Sequence, residues 1–248
     1  MAYNPYSLEG KTILITGASS GIGRTTAIEC SKMGAKCIIT ARNKERLQHT
    51  FDSLEGEGHM QIIADLTNVD DVNSLVSEIP IVDGLVNNAG IALTKLISFV
   101  RDEELESMFK INTYATFILT RQMLKKKKLN KKASVVIISS LASMVQSPGN
   151  AVYGMTKSAI QTFTRYCALE MAGKKIRFNS VHPGMVNTEM VQGLILSQEE
   201  LDKDMSSYPL KRYGKPEEIA WAIIYLLSDA TEWVTGTSLV VDGGFHLI

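Results

Sequence analysis

The chain lacks the features that mark membrane-spanning, exported and nucleic-acid-binding proteins. Its longest uncharged apolar run, IAWAIIYLL, is far shorter than the roughly 20 residues needed to span a bilayer. Lysine plus arginine and aspartate plus glutamate both number 26, so no net field draws the protein to nucleic acid or to an anionic membrane. The first residues, MAYNPYSLEG, lack the basic start and apolar core of a secretion signal. These absences predict a soluble, cytoplasmic protein that binds neither membranes nor nucleic acid.

Cysteine is also scarce, with three residues in the chain. Cys30, Cys37 and Cys167 are odd in number and lack the spacing of metal ligands. All three lie in apolar segments, where a buried free thiol is the ordinary outcome. The sequence therefore predicts buried thiols and no metal site.

The chain does contain a regular alternation of β-branched runs with longer stretches of helical periodicity. The runs lie near residues 12–15, 36–40, 60–64, 83–87, 134–139, 176–181 and 238–241. This alternation predicts an α/β fold in which a doubly wound parallel sheet of about seven strands has helices on both faces. No repeat, low-complexity tract or linker divides the chain, so we expect one domain over residues 1–248. Residues 188–213 show no strand pattern and form a candidate lid.

A glycine-rich loop follows the first predicted strand in the run KTILITGASSGIG. Gly17, Gly21 and Gly23 allow a sharp turn and a close approach of the backbone to a ligand, and the next helix would point free N–H groups at an anion. Their spacing differs from the G-x-G-x-x-G dinucleotide fingerprint. Because the loop lies between a first strand and a first helix, it favours a pyrophosphate site over an ordinary turn.

The stretch YGMTK places Tyr153 and Lys157 four residues apart, on one face of a predicted helix. A cation within about 4–6 Å favours the ionised form of a phenol, so this lysine is expected to lower the tyrosine pKa. Such a phenol can act as a general acid or base. The structural alternative is a solvated side chain beside an apolar one.

Several ordered motifs together resemble the short-chain dehydrogenase/reductase family. They are TGASSGIG, NNAG at Asn87–Gly90, Asn112 in KINTYA, Ser140 ahead of YGMTK, RFNSVHPG at Arg177–Gly184 followed by Thr188, and TGTSLVVDGG. The resemblance covers nearly the whole chain and is strongest to the 3-oxoacyl-[acyl-carrier-protein] reductases. Sugar, steroid and small-ketone reductases share nearly all of the pattern. It implies a Rossmann-type sheet and an NAD(P)-dependent oxidoreductase acting on CH–OH/C=O groups.

The resemblance also implies four catalytic residues. Tyr153 exchanges the proton on the substrate oxygen, and Ser140 hydrogen-bonds that oxygen. Lys157 lowers the phenol pKa and bonds the nicotinamide ribose, and Asn112 holds a water that links the lysine to solvent. Two alternatives stay open, because Ser139 is adjacent to Ser140 and because a helix asparagine often bonds only a neighbouring main-chain carbonyl.

Cofactor-binding residues follow from the same resemblance. They are Gly17, Ser19, Ser20, Gly21, Ile22, Gly23, Arg42, Asp65, Leu66, Asn88, Ala89, Gly90, Tyr153, Lys157, Pro183, Gly184, Val186 and Thr188. At the end of the second strand, CIITARN offers Arg42 where a carboxylate would select the ribose hydroxyls of NAD. This predicts NADP(H) over NAD(H), although Ser20 is neutral where many NADP-using relatives carry a second basic residue.

The substrate is less clearly indicated. The candidate lid mixes apolar with acidic residues, namely Met190, Val191, Leu194, Ile195 and Leu196 with Glu199, Glu200, Asp202 and Asp204. A carbonyl reductase of 3-oxoacyl, sugar, steroid or small-ketone substrates fits this pattern. Two other classes compete with an enzyme: a catalytically silent nucleotide sensor, which would not need Ser140, Tyr153 and Lys157, and a scaffold, which would not need the glycine loop.

Two further features concern partners. The run KKKKLNKK at Lys125–Lys132 is expected at a helix C-terminus, where cations offset the dipole; the alternative is a docking surface for an acidic acyl carrier protein. The segments Leu105–Leu124 and Ala151–Met171 are apolar over more than the stripe that faces one core. We therefore expect a homotetramer or homodimer built on these helices.

Overall fold

The computed structural model describes residues 3–192 and 198–248. Within them, seven parallel strands form one sheet in the order β3-β2-β1-β4-β5-β6-β7. The strands are β1 (Thr12–Thr16), β2 (Lys36–Ala41), β3 (Met60–Ile63), β4 (Val82–Asn87), β5 (Leu129–Ile138), β6 (Arg177–Pro183) and β7 (Ser238–Val241). The predicted doubly wound parallel sheet is confirmed.

Helices cover both faces of the sheet. They are α1 (Gly21–Lys32), α2 (Lys44–Phe51), α3 (Val69–Glu78), α4 (Asp102–Phe109), α5 (Ala115–Lys125), α6 (Ala151–Met171), α7 (Glu189–Gln192), α8 (Gln198–Ser207) and α9 (Pro216–Leu227). Side chains alternate along each strand, so Leu14 joins the core under α3, α5 and α6, whereas Ile13 and Ile15 join the core under α1, α2 and α9. This double burial explains why the strands are continuous β-branched runs.

The prediction that Cys30, Cys37 and Cys167 are buried free thiols is confirmed. Burial raises the pKa of Cys37 to about 12, so this thiol stays protonated. In the described part of the chain, no group of three or more His, Cys, Asp or Glu side chains is placed to hold a metal ion. Among the described helices, none combines the length and the hydropathy that a membrane span requires.

The lysine run begins at a helix C-terminus, as predicted, but it extends well beyond that helix. Helix α5 ends at Lys125, and β5 begins at Leu129 rather than near residue 134, so most of the run forms a turn and the start of a strand. Lys128 Nζ donates to the carbonyl oxygens of Ser77 and Ile79 at the end of α3. Lys128 therefore satisfies carbonyl oxygens at the end of a neighbouring helix.

Strand order reverses between β1 and β4, because β1 pairs with β2 on one side and with β4 on the other. In such sheets ligands bind in the crevice outside the carboxyl ends of the strands, at this point of reversal. The glycine loop follows β1, and Asn88 follows β4 at the same edge. The candidate lid lies only partly within the described residues, since positions 193–197, with Leu194, Ile195 and Leu196, fall outside them; its described helical parts are α7 and α8.

Candidate active site

Ser140, Tyr153 and Lys157 come together at the carboxyl end of β5. Ser140 lies just after this strand, and the other two residues lie one turn apart near the start of α6. The Ser140 side chain is hydrogen-bonded to the Tyr153 phenol. Lys157 Nζ lies 5.7 Å from the centre of the Tyr153 ring and donates to the carbonyl oxygen of Ile138 at 2.9 Å. The structure thus places three predicted catalytic side chains in one site.

Two contacts hold α6 against the end of β5. A Cβ atom at Gly154 would lie 2.7 Å from the carbonyl oxygen of Ala142, so a larger residue would force the helix away. The Ser139 hydroxyl donates to the carbonyl oxygen of Lys157 at 3.0 Å. Because neighbouring residues of an extended chain point to opposite sides, Ser139 anchors the helix while Ser140 points into the site.

Burial in the site shifts the pKa values of both Tyr153 and Lys157. Burial raises the pKa of Tyr153, and the hydrogen bond with Ser140 opposes this rise. Burial lowers the pKa of Lys157 to about 8. The expectation of a lowered tyrosine pKa is therefore wrong for this structure, because desolvation of the phenol outweighs the contacts that favour its charged form. Near neutral pH the phenol carries its proton and the lysine is mostly charged.

Asn112 lies in a π-helical turn, Lys110–Tyr114, between α4 and α5. Its side-chain amide accepts from the N–H of Ile91 at 2.8 Å, and it donates to the carbonyl oxygen of Ile91 at 2.9 Å and to Thr156 Oγ1 at 3.2 Å. Single π-turns within helices are frequent at functional sites. The amide is bonded to main-chain atoms, as the structural alternative required, but those atoms belong to the loop after β4. The asparagine thus joins that loop to α6.

The glycine loop after β1 is closed tightly. Gly17 and Gly21 have φ angles of 63° and 51°, in the left-handed region that favours glycine. A Cβ atom at Gly23 would lie 2.3 Å from Asn88 Nδ2 and 2.4 Å from the carbonyl oxygen of Gly17. Asn88 Nδ2 in turn donates to the carbonyl oxygens of Thr16 and Gly17 at 3.0 and 3.2 Å. The loop conformation therefore depends on residues without side chains.

The N-terminus of α1 faces the groove beside this loop. Its N-cap, Ser20, makes no side-chain cap bond, and the first helical turn contains no acidic residue. Neither a cap nor a carboxylate therefore competes for the N–H groups and the positive end of the helix dipole, which suit a phosphate group. The loop and this helix end fit the pyrophosphate of a dinucleotide cofactor.

Most of the predicted cofactor-binding residues line one groove. Those that line it are Gly17, Ser19, Ser20, Gly21, Ile22, Arg42, Leu66, Asn88, Ala89, Gly90 and Thr188. Gly23 lies behind the loop, and Pro183, Gly184 and Val186 lie at and beyond the end of β6. Gly90 connects the groove to the predicted catalytic side chains, because a Cβ atom there would lie 3.0 Å from Asn112 Oδ1 and 3.4 Å from Lys157 Nζ.

Comparison with known proteins agrees with this geometry. A family model described as enoyl-(acyl carrier protein) reductase matches residues 17–246. The 3-oxoacyl-[acyl-carrier-protein] reductase FabG of Rickettsia felis is 34% identical over 97% of this chain and 99% of its own length. The chain belongs to the short-chain dehydrogenase/reductase family. It is an NAD(P)-dependent oxidoreductase acting on CH–OH/C=O groups.

Solved members of this family share its fold closely. A short-chain dehydrogenase/reductase of Brucella melitensis, described as a glucose/ribitol dehydrogenase, superposes with a TM-score of 0.90 at 35% identity, covering 96% of this chain and 97% of that one. A protein of Beutenbergia cavernae, solved with NADP bound at low occupancy, has a TM-score of 0.90 at 30% identity and covers 99% of this chain and 100% of that one. The names of these relatives span acyl and sugar substrates.

In this short-chain dehydrogenase/reductase, Arg42 is paired at the edge of the cofactor groove. Its guanidinium lies 3.8 Å from an Asp65 carboxylate oxygen. Burial favours the protonated form of Asp65, but hydrogen bonds from Thr67 and the charge of Arg42 favour the carboxylate and outweigh burial. The net effect is a pKa of Asp65 below its ordinary value. The pair is exposed and weak, so an incoming phosphate can compete for the guanidinium.

Several groove residues were missed by the sequence analysis. They are Thr40, Asn43, Arg46, Ala64, Ile91, Ile111 and Glu189. Arg46 and Glu189 form an ion pair between α2 and α7. Of these residues, only Arg46 could have been found from the sequence, because it is a second arginine four residues after Arg42. Thr40 also lines the groove, and its buried hydroxyl has no hydrogen-bond partner among the described residues.

The end of β6 is tied to the C-terminal residues. A Cβ atom at Gly184 would lie 3.0 Å from two atoms of Asp242, and the Gly184 N–H donates to the carbonyl oxygen of Val241 at 3.0 Å. The Tyr208 hydroxyl accepts from the N–H of Met185 at 3.2 Å. The predicted Pro183–Gly184 segment is thus held on both sides, by β7 and by the residue after α8.

Proposed function

We propose that this enzyme reduces a carbonyl substrate at the expense of NADPH, with Tyr153 as the proton donor. The observation that carries this proposal is the joining of a phosphate-binding groove to a buried Ser140, Tyr153 and Lys157 site through Gly90. A binding protein would have no chemical need for a phenol and an ammonium at the end of its groove. The nicotinamide, when bound, supplies the hydride to the carbonyl carbon.

The chain's own residues then handle the oxygen. The Ser140 hydroxyl hydrogen-bonds the carbonyl oxygen, and the Tyr153 phenol gives that oxygen its proton as charge develops on it. The raised pKa of Tyr153 keeps the phenol protonated for reduction near neutral pH. Lys157, charged below its pKa of about 8, stabilises the phenolate that remains. Asn112 holds the loop that carries Gly90 beside this lysine.

The substrate proposed is a 3-oxoacyl thioester, supported by the similarity to FabG over nearly the full length of both chains. A panel of 3-oxoacyl thioester, trans-2-enoyl thioester, aldose and cyclic ketone, followed by loss of NADPH absorbance, tests it. We expect the 3-oxoacyl thioester to be reduced fastest and the enoyl thioester to be unreactive. Faster reduction of the sugar or the ketone would reassign the substrate, and NADPH binding without turnover of any compound would indicate a nucleotide sensor.

If the thioester is delivered by an acyl carrier protein, the lysine run is poorly placed to receive it. The run ends at Lys132, among the first residues of β5, whereas Ser140 follows the carboxyl end of this strand. At about 3.3 Å per residue, the extended chain from Lys132 to Ser140 spans roughly 25 Å. A carrier protein would therefore dock at the carboxyl edge of the sheet.

Cofactor preference supplies a prediction about Arg42. We expect Arg42→Ala to weaken NADPH binding by about 1.5–3 kcal/mol, because it removes a charge-assisted hydrogen bond to the 2′-phosphate, and to leave NADH binding nearly unchanged. Titration calorimetry with both cofactors measures the two losses. Lys44→Ala, a charge removal on α2 outside the groove lining, is the matched control and is expected to change neither affinity. An equal loss for both cofactors would refute the preference.

Assembly supplies a second prediction, which concerns the apolar face of α5 and α6. Its exposed members are Tyr114, Phe117, Met155, Tyr166 and Leu169. Soluble monomers rarely expose a large apolar patch, so we propose that this face pairs with its copy in a homodimer or homotetramer. Light scattering is expected to give a multiple of 27.3 kDa. Leu169→Lys is expected to lower that mass, and Leu247→Lys, an equally exposed control, to leave it unchanged; a wild-type mass of one chain would contradict the proposal.

A further inference from the structure

A buried histidine on β6 contacts the turn that carries Ser140. His182 is fully buried. Its Nδ1 atom lies 3.0 Å from Ser143 Oγ and 3.3 Å from the carbonyl oxygen of Ser140. Its Nε2 atom lies 2.8 Å from Ser180 Oγ. Both ring nitrogens therefore have polar partners, and one of these partners is the backbone of a residue proposed to contact substrate.

The turn after Ser140 also has hydrogen bonds of its own, including main-chain bonds from Ser143 N–H to Ser140 and from Met144 and Val145 N–H to Leu141. The Ser143 hydroxyl donates to the Ser140 carbonyl oxygen at 2.7 Å, and the Ala142 N–H donates to Ser140 Oγ at 3.2 Å. The second bond fixes the hydroxyl on which the contact with Tyr153 depends. Because His182 touches both Ser143 and the Ser140 carbonyl, the ring braces the turn from the neighbouring strand.

His182 keeps the same charge state over the pH range in which most enzymes work. Burial lowers the pKa of His182 to about 4, the hydrogen bond with the Ser140 backbone opposes this change, and the charges of Arg165 and Lys157 add to it. The ring is therefore neutral near pH 7. A neutral imidazole has one donor and one acceptor nitrogen. This matches a donor Nδ1 facing the oxygens of Ser140 and Ser143 and an acceptor Nε2 facing the Ser180 hydroxyl.

We propose that His182 is a positioning residue that holds the Ser140 hydroxyl in register with Tyr153. This inference rests on the proposed role of Ser140, and it assigns to His182 no contact with substrate or cofactor. A ring that merely filled space would contribute to folding alone. A positioning ring also sets a property of Tyr153, since the hydrogen bond with Ser140 favours the ionised phenol.

Ultraviolet difference titration of each protein against its Tyr153→Phe counterpart measures the pKa of Tyr153 without any substrate. We expect Ser140→Ala to raise that pKa by about half to one pH unit, the equivalent of one hydrogen bond. His182→Phe is also expected to raise the pKa of Tyr153. His182→Asn, which keeps a polar side chain, is expected to bring that pKa part of the way back to the wild-type value. In a Ser140→Ala background, His182→Phe is expected to have no further effect.

The possible outcomes separate this inference from the proposed function. If Ser140→Ala leaves the pKa of Tyr153 unchanged, the proposed role of Ser140 is wrong and the role of His182 with it. If Ser140→Ala raises that pKa but His182→Phe does not, or raises it equally in both backgrounds, only the inference about His182 is wrong. Should His182→Phe fail to fold, Ser143→Ala removes the same brace and is expected to raise the pKa in the same way; no change in that variant would overturn the inference.

Discussion

Replacing Tyr153 by phenylalanine is expected to reduce turnover by about 10²–10⁴-fold, the usual contribution of a positioned acid or base. The ring stays in place on α6, and only the hydroxyl is lost. Ser140 would then contact the substrate oxygen without a proton donor beside it. Because the groove residues are untouched, we expect the dissociation constant for NADPH to stay within a few-fold of the wild-type value.

Steady-state rates with the fastest substrate of the panel, together with calorimetric titration of NADPH, test this expectation. Tyr3→Phe is the control, since it removes a hydroxyl from an exposed side chain outside both the site and the proposed interface. We expect this control to retain wild-type rates. Full activity of Tyr153→Phe would sink the assignment of the proton donor, and a large loss of NADPH affinity would mean that the variant damages the groove instead.

Lys157→Met is expected to move activity and stability in opposite directions. Burial lowers the pKa of this lysine from 10.5 to about 8, which corresponds to about 3 kcal/mol of unfavourable free energy for the charged form. Methionine fills a similar volume without a charge, although the Ile138 carbonyl loses a donor worth about 1 kcal/mol. We therefore expect the free energy of unfolding to rise by about 1–2 kcal/mol at neutral pH, the remainder of these two terms.

Activity should fall in the same variant. Without the ammonium, the phenolate left after proton transfer is unsupported, and loss of such a stabilising charge typically lowers turnover by about 10²–10³-fold. The resemblance also gives Lys157 a bond to the nicotinamide ribose, so NADPH affinity should weaken as well. Lys174→Met, an exposed lysine beyond the end of α6, is the control and is expected to change none of these quantities.

The stability gain of Lys157→Met has a defined pH dependence. The folded wild type loses the Lys157 proton near pH 8, but the unfolded chain keeps it to about 10.5. Between these values the unfolded state binds more protons, so wild-type stability rises with pH. Urea unfolding should therefore show the largest advantage of the variant below pH 8 and a shrinking one above it. A variant that is less stable than wild type at neutral pH would show that the charged lysine is not under strain.

Local patterns were sufficient for much of the fold and for the identity of the candidate site. β-Branched runs separated by helical stretches predicted seven strands in a parallel sheet, because double burial leaves a continuous apolar signal. Gly17 and Gly21 indicated a tight loop after β1, since the positive φ angles that they adopt are a property of single residues. The four-residue spacing of Tyr153 and Lys157 placed both on one helix face.

Contacts between distant segments were decided only by the tertiary structure. The sequence could not choose between Ser139 and Ser140, because the choice depends on which way α6 lies against β5. Nor could it show that Asp65 lies beside Arg42, since these residues end different strands. His182 looked like one residue of a family motif, and its contacts with Ser140 and Ser143 exist only because β6 pairs with β5.

The direction of the tyrosine pKa shows the same division between sequence and structure. Spacing along a helix specifies which charge is near Tyr153, and the sequence alone determined that this charge is Lys157. How much water reaches the phenol depends on every element that packs around it, and burial reversed the expected shift. The place of the lysine run was likewise decided by where α5 stops and β5 begins, a boundary set by strand pairing rather than by the charges themselves.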